Sequence, residues 1–352
     1  MKKVAILAIT KNGIQMSLKL KENFSDFEVF APKKFSNNDR KISWYEESTS
    51  EKIVDLFKNN NAIICLFSLG AVIRLLTPHI KDKKTDPAVI VIDDNANFVI
   101  SVLSGHLGGA NELSNEIADK IGATPVITTA ADVNKTIAVD LVGKEFGWKV
   151  EDDRNVTRIS AFMVNKERIG VFQNIGEKEW WKEKLPDNIT FFSNMDDMKN
   201  SKCKGYLIIT NDNINDDEIL KNAVIYRIPN LVIGIGLHWD TPKDTILNGI
   251  TETLDKFRLK KSMIAKFVSI KKDKDVIGLI ELGKEMMIPV EYINREELAT
   301  ISTPNPSKTV QAFEGTASVS EAAAIKSSNG ELIVEKQKFP PNLTVAIARI
   351  TK

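Results

Sequence analysis

"AVIVIDDNANFVISVLSGHLGGANELSNEIADKIGATPVITT", residues 88–129, changes texture several times within a short span. An apolar run turns through DNAN into a second apolar run, which loosens into a glycine-rich stretch. Then Ala110, Leu113, Ile117, Ala118 and Ile121 recur at helical spacing before Gly122. The turn-rich tetrapeptide between apolar runs predicts a hairpin, Gly122 a helix stop, and TPVITT a return to strand. Upstream, "VAILAI" (4–9) and "AIICLFS" (62–68) are further continuous apolar runs, and "SEKIVDLFKNN" (50–60) places Ile53, Val54, Leu56 and Phe57 on one side of a helix. Strands without polar alternation are covered on both faces, so alternation with amphipathic helices predicts an α/β domain around a largely parallel sheet.

Beyond this domain the texture shifts twice. Between about residues 147 and 227, Trp148, Trp180 and Trp181 stand among Asp, Asn and Lys clusters, with core packing their default role. "SAFMVNKERIGVFQN" there reads as a hairpin turning near Lys166–Arg168. From about residue 230 regular patterning resumes. "LVIGIGL", "IAKFVSI", "VEYIN", "ELIVEKQ" and "LTVAIARI" read as strands, with helices at "TPKDTILNGITETLDKF", "GLIELGKEMM" and "SVSEAAAIKSS". Thr241 is the expected cap of the first of these helices, and Ser318 with Glu321 has capping-box spacing. The fold class expected is therefore α/β and multi-domain: two three-layer α/β domains with mainly parallel sheets, residues 1–134 and 230–352, joined by a smaller central α+β domain, residues 135–229.

Charge narrows the function classes. Lys and Arg number 48 against 47 Asp and Glu in 352 residues, so no global field drives binding to nucleic acid or an anionic membrane. Local geometry must hold any anionic ligand. Cys65 and Cys203 lie far apart, and Cys65 sits inside an apolar run, which predicts free thiols in a reducing compartment. The start, MKKVAILAITKNG, has too short an apolar part for a leader, and no segment approaches the roughly 20 apolar residues of a membrane span. A cytoplasmic protein is expected.

The glycine-rich connection "SGHLGGANE" runs from strand to helix and carries His106, one of only three histidines. Gly105, Gly108 and Gly109 either serve chain reversal alone or let backbone N–H groups approach a carboxylate, phosphate or oxyanion at a helix N-terminus. His106 between them can exchange a proton near neutral pH, while Ser104 or Asn111 can orient a water or donate to an oxyanion. Ser104 lacks the GxSxG context of a nucleophile, and Glu112 fits a first-turn acid favoured by the helix dipole. Lysine and a following hydroxyl are missing for a P-loop. The histidines and cysteines show no zinc spacing. Arg74 offers a guanidinium fork to a carboxylate ligand or stands as a solvated surface residue. Gly234 and Gly236 in "GIGLHW" begin a dinucleotide fingerprint that Trp239 interrupts.

Taken together, "GAVIRLLTPHI" (70–80), the long run from Asp86 to Asp132, GIG (234–236), "GTASVSEAAAI" (315–325), Lys336 and "TVAIAR" (344–349) resemble the cobalamin biosynthesis G family over essentially the whole chain. These are the cobalt-precorrin-5A hydrolases of the anaerobic vitamin B12 pathway. The resemblance implies a hydrolase that opens the δ-lactone of a contracted cobalt macrocycle, releases acetaldehyde and yields cobalt-precorrin-5B. It implies no cofactor bound by the protein, the cobalt being carried by the substrate. His106 is then expected as general base, with Gly105, Gly108, Gly109 and Asn111 stabilising the oxyanion, and Ser104 beside it. Gly105, Gly108, Gly109, Arg74, Glu112, Gly234 and Gly236 are the expected substrate-binding residues. Expected partners are the macrocycle and, transiently, neighbouring enzymes of the pathway; neither nucleic acid nor membrane is expected. Leu237-His238-Trp239 after GIG and Lys272–Val276 depart from the family pattern, so the resemblance assigns no catalytic role to the C-terminal segment. A non-catalytic carrier of corrinoid intermediates and a nicotinamide-dependent enzyme are the rival readings; acetaldehyde release and a cofactor titration separate them.

Overall fold

The computed structural model describes residues 3–37 and 39–351, in two compact units, Met1–Leu141 and Val142–Lys352. In the first unit, strands β1 (Val4–Ala8), β2 (Glu28–Pro32), β3 (Ile42–Tyr45), β4 (Ala62–Leu66), β5 (Ala88–Ile92), β6 (Phe98–Leu103) and β7 (Thr124–Val126) form a seven-stranded sheet in the order β3-β2-β1-β4-β5-β6-β7. Strands β1, β4 and β5 are buried along their whole length. Ile6, Ile64 and Ile90 face helices 11–23 and 110–121, while Leu7, Ile63 and Val91 face helices 49–59 and 69–76, which makes three layers. The helix starts follow local chemistry. Thr10 accepts from the Gly13 N–H, and Ser48 with Glu51 forms a reciprocal capping box. Cys65 is buried and free, its thiol pushed up to about 12 by loss of solvent.

One pairing in this sheet decides where the chemistry sits. β5 and β6 are antiparallel, joined by the predicted DNAN hairpin, and β7 runs parallel to β6. The chain leaving β6 and β7 therefore emerges at the edge where β1, β4 and β5 begin, opposite the edge where those strands end.

The second unit contains two five-stranded sheets. The first joins β8 (Lys149–Val150), β9 (Ile169–Gln173), β10 (Ile189–Phe192), β11 (Gly205–Ile209) and β12 (Ala223–Arg227) in the order β10-β9-β11-β12-β8, parallel except for β8. The hairpin expected at residues 160–174 is a helix followed by a strand. Its turn is where the sequence places it, with Lys166 at φ 57°, but the first arm is helix 156–164. Ile159 and Met163, four residues apart, are both buried, a helical period that a short window reads as alternation. Trp148 and Trp180 are buried, as expected of core residues.

The last sheet joins β13 (Leu231–Leu237), β14 (Ile264–Ile270), β15 (Val290–Ile293), β16 (Glu331–Phe339) and β17 (Leu343–Arg349) in the order β15-β14-β13-β17-β16. β13, β14 and β15 are parallel; β17 is antiparallel to both of its neighbours. Helices 243–256 and 277–286 cover one face and helix 319–328 the other. Two capping expectations are corrected here. Pro242 occupies the N-cap position of helix 243–256, while Thr241 donates its hydroxyl to the His238 carbonyl. Ser318 makes no side-chain cap bond, and Glu321 is buried with its carboxylate accepting from Asn305 N, Asn305 Nδ2 and Lys336 N. The Ser-x-x-Glu spacing is present; the glutamate is used by a distant segment instead.

Candidate active site

Ser104 leaves β6 with φ 55°, a conformation unusual for a residue with a Cβ, and gives its hydroxyl proton to the Asp86 carbonyl at 2.9 Å. That bond ties the turn to the segment before β5. The glycines serve the turn's own packing. A Cβ on Gly105 would lie 2.5 Å from Asn111 Oδ1, one on Gly108 would collide with Ser104, and Gly109 sits at φ 87° at the start of helix 110–121. The turn also caps the helix. The Ala110 and Asn111 N–H groups donate to the carbonyls of Ser104 and Gly105, and Gly109 N–H donates to His106 O. These donors are spent inside the turn, so the first turn of the helix is not the open anion cradle that the glycines suggest.

Asn111 is nearly buried and fully engaged. Its Oδ1 accepts from Ser101 Oγ at 2.7 Å, and its Nδ2 donates to Thr129 Oγ1 at 3.0 Å and Asp132 Oδ2 at 2.9 Å. It positions Asp132, and with all its amide groups committed it is not free to serve as an oxyanion donor. Glu112 next to it is exposed on the first helical turn.

His106 is held between two carboxylates. Nδ1 lies 3.2 Å from Asp140 Oδ1 and Nε2 2.8 Å from Asp132 Oδ2. The bond to Asp140 raises the imidazole above its ordinary value; partial burial opposes this and the bond to Asp132 adds to it. Burial by itself would raise the Asp140 carboxyl, but the bond and charge of His106 bring it below its ordinary value. The imidazole side chain is 17% exposed, and the Asp132 side chain, at 38%, is the more open of its two partners. The sequence reading missed both aspartates. They follow His106 by 26 and 34 residues, Asp132 on the short helix 130–133 after β7 and Asp140 in the turn beyond it, and neither has a local pattern.

A raised imidazole pKa has a fixed sign for stability. The contribution of His106 is complete below the unfolded value of about 6.5 and is lost as pH rises through the higher folded value. The urea-midpoint gap between wild type and His106→Gln is therefore expected to be largest near about pH 6 and to narrow toward about pH 9. A gap that widens with pH contradicts the charged-pair arrangement.

The other expected site residues are not brought to this cluster. Arg74 is exposed on helix 69–76 and folds back so that Nη1 donates to Gly70 O at 3.2 Å, toward the edge where β4 ends. His106 is at the opposite edge of the same sheet, with about 16 Å of strand between the edges. Gly234 is a packing residue, since a Cβ there would collide with Ser320 O and Ala324 N of helix 319–328. Gly234→Ala is expected to lower stability by about 1–3 kcal/mol through overpacking, read as a lower urea midpoint. An unchanged midpoint contradicts the close approach. Gly236 packs against Thr344 and also lines a cleft of the last sheet. No group of three or more His, Cys, Asp or Glu side chains among the described residues is placed to hold a metal ion. No helix among them is long and apolar enough to cross a membrane.

Comparison with known proteins matches three family models in succession: cobalamin synthesis G N-terminal at residues 51–132, cobalamin biosynthesis central region at 137–227, and cobalamin synthesis G C-terminus at 231–348. A cobalt-precorrin-5A hydrolase of Priestia megaterium is 39% identical, with 98% of this chain and 94% of that protein covered. A cobalt-precorrin-5A hydrolase of Salmonella typhimurium is 32% identical, with 79% of each covered. A solved structure from Sulfolobus solfataricus, described as a cobalamin biosynthesis protein G homolog, is 23% identical over 99% of this chain and 97% of that one, with a TM-score of 0.39.

Proposed function

The chain belongs to the cobalamin synthesis G family, and from that premise we propose that it is a cobalt-precorrin-5A hydrolase. Water opens the δ-lactone of the contracted cobalt macrocycle, and the extruded carbon leaves with its methyl group as acetaldehyde, giving cobalt-precorrin-5B. The cobalt enters and leaves with the substrate. Contacts with neighbouring enzymes of the pathway, which would receive the product, are transient in this reading.

The observation that carries the site assignment is His106 clamped between Asp132 and Asp140. Lactone hydrolysis needs one group to accept a proton from the attacking water and another to supply one to the departing alkoxide. Asp140 holds the buried side of the ring and favours its protonated form. The charged ring, with both nitrogens as donors, is the proton source. Asp132, more exposed and fixed by Asn111, is the acceptor facing the water. This role differs from the base expected for His106 from sequence, because a carboxylate at each ring nitrogen favours the protonated ring.

Acetaldehyde release from enzymatically prepared cobalt-precorrin-5A tests the reaction. Binding without release would convert the protein to a carrier of corrinoid intermediates. Ser104→Ala tests the site assignment: with its hydroxyl given to the Asp86 carbonyl, the variant is expected to keep near-wild-type turnover and lose about 1 kcal/mol of stability. Abolished turnover in a folded Ser104→Ala protein would restore it as the residue that orients the water or donates to the oxyanion.

A further inference from the structure

The last sheet carries a cleft of about 980 Å³, at the upper end of the range for small-molecule sites. It lies where parallel strands β13 and β14 end, with Gly236, Leu237 and Lys272 on its wall, beside the start of β17 and the end of β16. The carboxyl ends of parallel strands are where open α/β sheets hold ligands. Its volume far exceeds the needs of a lone carboxylate or phosphate.

The lining has two chemistries. Leu237, Val319 and Phe339 supply apolar surface, and Phe313, 77% exposed, adds an aromatic face that nothing in the fold requires to be in water. The charged groups are mainly basic. Lys272, Lys336 and Lys338 face one acid, Glu314, whose carboxylate is already held by Lys272 at 2.7 Å. Lys336 is anchored to Asn305 O and Ser318 Oγ, whereas Lys338 is exposed. In a chain of net charge +1 this is a local excess.

Nucleotide-like ligands fit it poorly. Helix 319–328 begins at the cleft, but its third residue is the buried carboxylate of Glu321, which puts a negative charge where a phosphate would need a positive pole. A broad apolar surface with separate amines suits a large, flat, apolar body that carries carboxylates on its periphery.

We propose that this cleft is a binding site for the macrocycle, gripping its acidic side chains through Lys272, Lys336 and Lys338 while Phe313 covers its flat face. Naming the macrocycle as the ligand rests on the hydrolase reading; the preference for a flat polycarboxylate rests on the cleft alone. An arriving carboxylate replaces Glu314 on Lys272, so binding weakens with salt.

The test uses the full chain and a porphyrin octacarboxylate as probe, titrated by its absorbance and fluorescence, beside turnover assays. Lys338→Glu is expected to raise the porphyrin Kd and the KM for cobalt-precorrin-5A by about tenfold, the lower end for a charged hydrogen bond. Phe313→Ser is expected to weaken both in the same direction, and His106→Gln is expected to leave the porphyrin Kd unchanged. Wild-type acetaldehyde release with Kd and KM unmoved in both cleft variants overturns the cleft and leaves the hydrolase standing. Porphyrin binding that depends on Lys338, without acetaldehyde release, leaves the cleft standing and overturns the hydrolase.

Discussion

His106→Gln is expected to lower the turnover of cobalt-precorrin-5A by about 10²–10⁴, the span that a positioned proton-transfer group contributes. Glutamine keeps much of the volume and a donor toward one aspartate, so the fold survives; it cannot carry the charge that Asp132 and Asp140 stabilise on the imidazole. The pH profile separates the two roles available to this ring. A proton donor makes kcat fall as pH rises through the raised imidazole value, whereas a base makes it rise there. Asp140→Asn removes the first of the causes holding the proton on the ring, so the alkaline fall should move to lower pH with the acidic side little changed. Near-wild-type turnover in His106→Gln would discard the cluster as catalytic machinery. A fall in activity toward acid, mirrored about the same value, would restore His106 as base.

The second large effect is on stability and lies in the central sheet. Arg227→Ala is expected to cost about 3–5 kcal/mol, the usual penalty for removing one side of a buried ion pair. Arg227 is 1% exposed; Nε reaches Glu151 Oε2 at 2.5 Å, and Nη1 donates to the carbonyls of Thr210 and Asp212, each at 2.7 Å. Truncation strands two carbonyls and leaves Glu151 with Lys260, at 3.3 Å, as its charged partner. Amide hydrogen exchange in β11 and β12 locates the loss, and the shift in urea midpoint measures it. The double variant Arg227→Met, Glu151→Leu is expected to recover part of the loss, because an apolar pair leaves no buried charge uncompensated and Lys260, the charge that remains, has a side chain 43% exposed. A single variant as stable as wild type would show that the guanidinium contributes nothing net.

Local chemistry in the sequence predicts the first domain's turn and helix stop, though not the caps at Thr241 and Ser318. The DNAN turn between two apolar runs is a hairpin closed by Phe98 N–H donating to Asp93 Oδ1, and Gly122 ends helix 110–121 in the left-handed conformation that glycine favours. The first arm of the expected central hairpin is a helix instead, because a buried pair four residues apart within nine residues satisfies both periods. The proposed catalytic cluster is only partly visible in the sequence. His106 stood out by its rarity and its glycine neighbours, but Asp132 and Asp140 reach it through the path of the chain after β7, which composition does not encode. Arg74 is expected from sequence as a carboxylate-binding residue in the same domain as His106. Separating them requires the direction of β6, and that follows only from its antiparallel pairing with β5.

That reversal also opens a route for site-specific labelling. Gly70 is exposed at the edge opposite His106, and the nearest atom to a side chain added there is Arg74 Nη1 at 3.5 Å. Cys65 is buried in the same unit, so a Gly70→Cys thiol would be its only accessible attachment point among the described residues once Cys203 of the other unit is replaced. A fluorophore placed there could report on this unit during turnover from the far side of the sheet, clear of the proton chemistry.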